Sequence, residues 1–145
     1  MIYNRDIGLL ILRLGIGIMF ILHGYPKIQG GIDTWTWLGS NGMGSIGINF
    51  FPVFWGFMAA VAEFVGGIMI MLGLYTRIWS GLLFFTMFIA SAFHYSSGDN
   101  IFPSHAVELS IVFLSLVFMG SGKYQLFSKF SDHSQLSDQH HDLEE

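Results

Sequence analysis

Four apolar runs, Ile7 to Ile28, Phe50 to Leu74, Ile78 to Tyr95 and Ile101 to Met119, take up most of this 145-residue chain. Each is close to the roughly 20 residues that, at about 1.5 Å per residue, cross a hydrocarbon core about 30 Å thick. Hydrophobic residues make up 52% of the chain and charged residues 11%. A soluble domain carries about a quarter charged residues, and one of this length could not hide so much apolar surface, so the bilayer has to be the solvent. Backbone groups in lipid need partners within their own segment, which makes these runs helices. The alternating pattern of a membrane barrel is absent. The expectation is an all-α membrane protein, a four-transmembrane-helix bundle formed by residues 1–130. The polar, acidic, aperiodic stretch 131–145 reads as a disordered cytoplasmic tail. Its histidines, His133, His140 and His141, read as solvated side chains that could hold a metal only adventitiously.

The first run is not a cleaved secretory signal on this reading, because it lacks a small-x-small cleavage site and Arg13 interrupts it. The absence of cysteine removes disulfides, thiol redox chemistry, thiolate-held iron–sulfur clusters and covalent haem attachment. The net charge of −4 comes largely from the tail and implies no nucleic-acid partner. Basic residues between the runs fall on one side: Arg5, Arg77, Lys123 and Lys129 against Lys27 alone at the edge of the other. The positive-inside rule then places both termini in the cytoplasm, N-in and C-in, as an even helix count requires.

Between the first two runs, residues 29–51 are rich in glycine and carry Asp33, Trp35 and Trp37. Asp33 could cap a short helical turn, with the two indoles at headgroup level. The glycines lack the Lys-Ser/Thr ending of a phosphate-binding loop, so a re-entrant or interfacial hairpin is expected instead.

Every run carries at least one ionisable group, and a charge in lipid persists only when paired or used. Alternating helix directions place His23, Lys27, His94, His105 and Glu108 toward the outer side. Glu63 falls about 15 Å below the outer boundary and Arg13 about 9 Å above the inner one, an axial gap of about 6 Å that an arginine could bridge. His23 with Lys27 (i, i+4) and His105 with Glu108 (i, i+3) share helix faces. These seven residues together suggest a polar pocket opening outward.

Three uses of such a pocket stay open. Arg13 with Glu63, and His105 with Glu108, can act as structural clasps in a bundle that Gly15, Gly17, Gly66, Gly67 and Gly73 allow to pack closely. Alternatively the pocket binds a small amphipathic ligand such as a quinone, with imidazole and carboxylate at its carbonyls and Phe, Met and Trp around its ring. In the third, His23, His94, His105, Glu63 and Glu108 hold a non-haem metal, or two of the histidines a haem. The His-x-x-Glu spacing of His105 and Glu108 reverses the Glu-x-x-His of di-iron bundles and occurs once rather than twice.

The chain resembles the DoxX family of small membrane proteins. The resemblance rests on Arg13-Leu14-x-x-Gly17, His23-Gly24 with Lys27, Ala62-Glu63-Phe64-x-Gly66-Gly67 and Leu72-Gly73-Leu74-Tyr75-Thr76-Arg77. It continues through His94, Glu108 and Gly120-Ser121-Gly122-Lys123-Tyr124, covering about residues 7 to 127. It implies a four-helix bundle in the cytoplasmic (inner) membrane and association with redox systems. Members serve as subunits of thiosulfate–quinone oxidoreductase or terminal-oxidase assemblies and of an oxidoreductase complex tied to oxidative-stress defence. Distant relatives are cargo receptors or assembly chaperones. The resemblance therefore leads to an expected accessory subunit of a quinone-linked membrane oxidoreductase, working with other membrane or redox subunits or as a homo-oligomer. The alternative is a non-catalytic scaffold, chaperone or cargo-binding protein whose intramembrane charges are clasps.

Overall fold

The computed structural model describes residues 4–98 and 105–126. Within them the chain forms five α-helices and one 3₁₀ turn: α1 Asn4–Gln29, α2 Gly31–Gly42, the turn Met43–Ile46, α3 Pro52–Leu72, α4 Thr76–Ser96 and α5 His105–Met119. No strand occurs among the described residues. Three helices are long and apolar enough to cross a membrane: Arg5–Gln29 within α1, then α3 and α4. The fourth, α5, is apolar but has 15 described residues, about 22 Å at a helical rise. The run expected to begin at Ile101 has its first four residues outside the described ones, as does the tail 131–145.

Helix α3 is the hub. It packs along α1 on one side and α2 on another, while α4 pairs with α5. Glycines set the α1–α3 approach: a Cβ at Gly17 would stand 2.7 Å from the Gly67 carbonyl oxygen, and one at Gly24 would stand 2.5 Å from the Phe64 nitrogen. Small residues at such crossings bring the backbones together, which is how helices associate without a hydrophobic driving force between them. The core side chains Leu9, Phe20, Ile70, Leu83, Met87, Phe113 and Leu116 fill the interior. Phe20 of α1 meets Phe113 of α5 edge to face, ring centres 4.8 Å apart. Meanwhile Ile11, Leu22, Ile78, Ile111 and Phe118 are 62% to 77% exposed. Such side chains are at home against acyl chains and costly in water.

The stretch between α1 and α3 differs from the expected hairpin in being mostly helical. α2 runs antiparallel along α3, and each helix lacks a side chain where the other's backbone crosses: Gly39 against Pro52, Gly56 against Trp35. Asp33 sits in the first turn of α2, but Gly30 holds the N-cap position and no side chain caps it. At the far end α3 closes in a Schellman turn, Gly73 (φ 78) donating to Ile70 O at 3.1 Å and Leu74 to Met69 O at 2.8 Å.

A lysine–glutamate pair at the wall of an aromatic cavity

Arg13 is 1% exposed, and its expected partner, Glu63, is not the group it meets. Its guanidinium donates from Nε to Ile70 O at 3.0 Å and from Nη1 to Tyr124 O at 2.8 Å. Nη1 also donates to Ser121 O, and Nη2 to Met71 O at 3.5 Å. Ile70 and Met71 belong to the last turn of α3, where carbonyls lack helical partners. Arg13 thus caps one helix and fastens the segment after α5 to it. The glycine contacts explain the correction: with Gly17 facing Gly67, Arg13 is level with Met71, eight residues and about 12 Å from Glu63.

Glu63, 2% exposed, pairs instead with Lys27, which reaches in from the other end of α1. The ammonium Nζ lies 2.6 Å from both Oε1 and Oε2. Charge-assisted bonds to both oxygens offset the desolvation that a lone carboxylate would suffer. The lysine backbone is held as well: the indole Nε1 of Trp35, on α2, donates to Lys27 O at 2.9 Å. Lys27 keeps 30% of its side chain exposed, so the pair is open at the lysine end.

Both members of the pair line a cavity of about 470 Å³ between α2, α3 and α4. Trp37, Phe54, Trp55, Trp79, Phe85 and Phe93 supply aromatic walls, and Asn41 and Thr86 supply polar atoms. Five lining side chains, Trp37, Phe54, Met58, Leu82 and Phe85, are themselves 40% to 57% exposed, so the cavity opens on the flank of the bundle. A space of this size, apolar apart from a few placed polar groups, is the usual form of a small-molecule site.

The other expected site residues lie apart. His105 Nδ1 and Glu108 Oε2 are 3.5 Å apart, as the i, i+3 spacing predicts, but their side chains are 97% and 62% exposed. His23 is exposed, its ring tilted at 57° to that of Phe20 with centroids 6.4 Å apart. His94, half-buried near the end of α4, lies against Phe93. Among the described residues no three His, Asp or Glu side chains stand close enough to hold a metal ion. The set His23, His94, His105, Glu63 and Glu108 is therefore not brought together, and the single outward pocket resolves into separate stations.

The sequence model of the DoxX family matches residues 8–96, more than half of the chain. The chain belongs to the DoxX family. Among its relatives is the Bacillus subtilis protein named "Putative oxidoreductase CatD", 39% identical over 79 residues, 54% of this chain and 52% of that one. Its alignment spans only about half of either protein. A Haemophilus influenzae protein described as uncharacterised is 34% identical over 87% of this chain and 92% of its own length. The Escherichia coli "Inner membrane protein YphA" is 30% identical over 84% and 89% respectively. No solved structure matches the chain.

Some of this DoxX site is not legible in the one-dimensional pattern. Trp35 and Trp37 read as headgroup anchors, yet the structure gives Trp35 a hydrogen bond to the backbone beneath Lys27 and puts Trp37 in the cavity wall. Trp55 and Trp79 carry no sequence signal beyond their type. Only folding α2 back on α3 and α4 turns these indoles into one surface.

Proposed function

We propose that this DoxX chain is the membrane subunit of a quinone-linked redox system, and that the α2–α3–α4 cavity holds the quinone ring. It spans the membrane four times with both termini in the cytoplasm, and electrons come from a partner subunit. One observation carries the reading: a Lys27–Glu63 pair with a buried carboxylate stands in the wall of a largely apolar, aromatic-rich cavity open on the side of the bundle. A quinone is a planar, lipid-soluble ring with carbonyl acceptors. Trp and Phe faces suit the ring, and the flank opening suits an isoprenoid tail. An ammonium has three N–H donors; two go to Glu63, which leaves one for a ligand carbonyl. Glu63 stands next to that oxygen, placed to hold the proton that reduction requires. Kinship with a protein named as an oxidoreductase supports the redox assignment.

Three of the chain's four tryptophans line the cavity, which supplies the test. Quinone analogues titrated into the purified protein should quench tryptophan fluorescence saturably. Glu63→Gln and Lys27→Met should weaken that binding about tenfold, the loss of one charge-assisted hydrogen bond, with helical content unchanged by circular dichroism. Non-saturable quenching, or equal affinity in both variants, would sink the assignment.

A further inference from the structure

Two ionisable side chains, His23 on α1 and Glu108 on α5, stand on the outside of helices read as crossing lipid. Packing fixes their depth. Phe20 and Phe113 meet in the core, and α1 and α5 run in opposite directions there, since Gly122 after α5 returns to Leu9 near the start of α1. His23 lies three residues beyond that contact and Glu108 five, so their levels differ by about 3 Å. Glu108 is also eleven residues, about 16 Å, from the end of α5 at Met119. That is near the middle of a hydrocarbon core about 30 Å thick, where an ionisable group facing acyl chains is costly.

The described part of the chain does not cover them. Glu108 pairs with His105 at 3.5 Å, but His105 is 97% exposed and leaves the carboxylate side chain 62% exposed. His23 makes no hydrogen bond or ion pair among the described residues. The described lysines and arginines are not placed to help. Arg13 and Lys27 are committed inside the bundle, while Arg5, Arg77 and Lys123 sit at the end where α5 stops. A second copy inserted in the same sense carries these cations at the same levels, so it offers Glu108 an exposed imidazole, His23, at matching depth.

Farther along, the same two faces match in shape. Phe118 is five residues from Phe113 and Gly15 five from Phe20, both toward the end where α5 stops, so they are level. Phe118 is 77% exposed, whereas a Cβ on Gly15 would meet nothing within 4 Å. A bulky side chain on α5 is thus level with an open notch on α1.

We propose that two copies associate through these faces, α1 of each protomer against α5 of the other, about a two-fold axis along the membrane normal. Such a contact pairs residue i with j and j with i. It forms two His23–Glu108 pairs and seats each Phe118 against a Gly15 of the other copy. An α5–α5 contact would instead oppose two carboxylates. The association goes beyond the redox reading and does not need it, because none of these four residues lines the cavity.

The chain has no cysteine, so full-length protein carrying Ser134→Cys can be labelled at one position with donor or acceptor dye. Both forms are reconstituted in vesicles of phosphatidylethanolamine and phosphatidylglycerol, and energy transfer is followed as lipid dilutes protein. Transfer should follow a dimer isotherm. Glu108→Gln and His23→Leu should each weaken association about tenfold, as for losing a charge-assisted hydrogen bond. The exchange His23→Glu with Glu108→His should restore association to within about threefold of the parent, although each change alone weakens it. Gly15→Leu fills the notch and should weaken association about tenfold or more, whereas Gly81→Leu, at an equally open glycine on α4, should not. Circular dichroism checks the fold of each variant, and Gly15→Leu carries the test if the polar variants fail to fold. Transfer no greater than random proximity at every dilution would mean that lipid or a different subunit covers the face, and would overturn the proposal. So would variants that associate like the parent, or an exchange no better than either single change.

Discussion

Arg13 and Glu63 are almost equally hidden, 1% and 2% exposed, yet one is enclosed by protein and the other borders open space. Arg13 spends its guanidinium on main-chain carbonyls of α3 and of the segment after α5. Its bonds to Ile70 O and Met71 O repair the end of α3, and those to Ser121 O and Tyr124 O hold the segment after α5, so the guanidinium is committed to the fold. Glu63 is met by one flexible lysine whose own side chain is 30% exposed, beside an aromatic cavity. Burying charge in lipid is costly in both places. The contrast shows that burial of a charge alone does not identify a functional group; what it borders does.

The comparison breaks most sharply at Arg13. Arg13→Met leaves the carbonyls of Ser121 and Tyr124 without their donor and Ile70 O with the Gly73 N–H alone. At about 1–3 kcal/mol for each unmet acceptor, thermal unfolding should show a loss of about 3 kcal/mol. Arg13→Lys should recover little, because a point charge cannot reproduce the fork. Ligand affinity of whatever Arg13 variant still folds should be unchanged, since Arg13 has no place in the cavity.

At the other station the same measurements should dissociate. Lys27→Met strands a buried carboxylate and should cost about 3 kcal/mol. The double variant Lys27→Met with Glu63→Leu should regain most of that stability, because apolar replacement of a whole buried pair is often neutral. It should nonetheless bind no quinone. A double variant that is stable and still binds would reduce the pair to a clasp and favour the scaffold alternative.

A smaller effect sharpens the picture. Trp35→Phe removes the indole donor to Lys27 O and should cost about 1 kcal/mol in denaturation, with weaker ligand binding because the Lys27 end of α1 is less firmly held. The smallest belongs to His105→Ala. Its pairing with Glu108 lies in the open, and exposed ion pairs contribute little. Its melting temperature should match that of the parent.

Helix positions were largely legible because lipid imposes length and apolarity on any segment that crosses it. The apolar runs from Ile7, Phe50 and Ile78 correspond to α1, α3 and α4 within a few residues. α2 was not legible. A stretch with Gly31, Gly39, Gly42, Gly44 and Gly47 has poor intrinsic helix propensity; packing against α3, where Gly39 and Gly56 remove the obstructing side chains, overrides it. Partner choice among the charges was misread for a related reason. Counting rise along each helix ignores where two helices cross, and the Gly17–Gly67 contact shifts that register enough to hand Glu63 from Arg13 to Lys27. The residues singled out were mostly the right ones to ask about, but their grouping depended on packing that spacing does not encode.

The flank opening, framed by Phe54, Met58, Leu82 and Phe85, has a consequence for how such a site would be supplied. A guest entering there never passes through water, so its occupancy follows its mole fraction among neighbouring lipids, not its concentration in the surrounding medium. Truncated, water-soluble analogues would then understate the true affinity, and changing the amount of lipid at constant guest would shift apparent saturation as strongly as changing the guest itself.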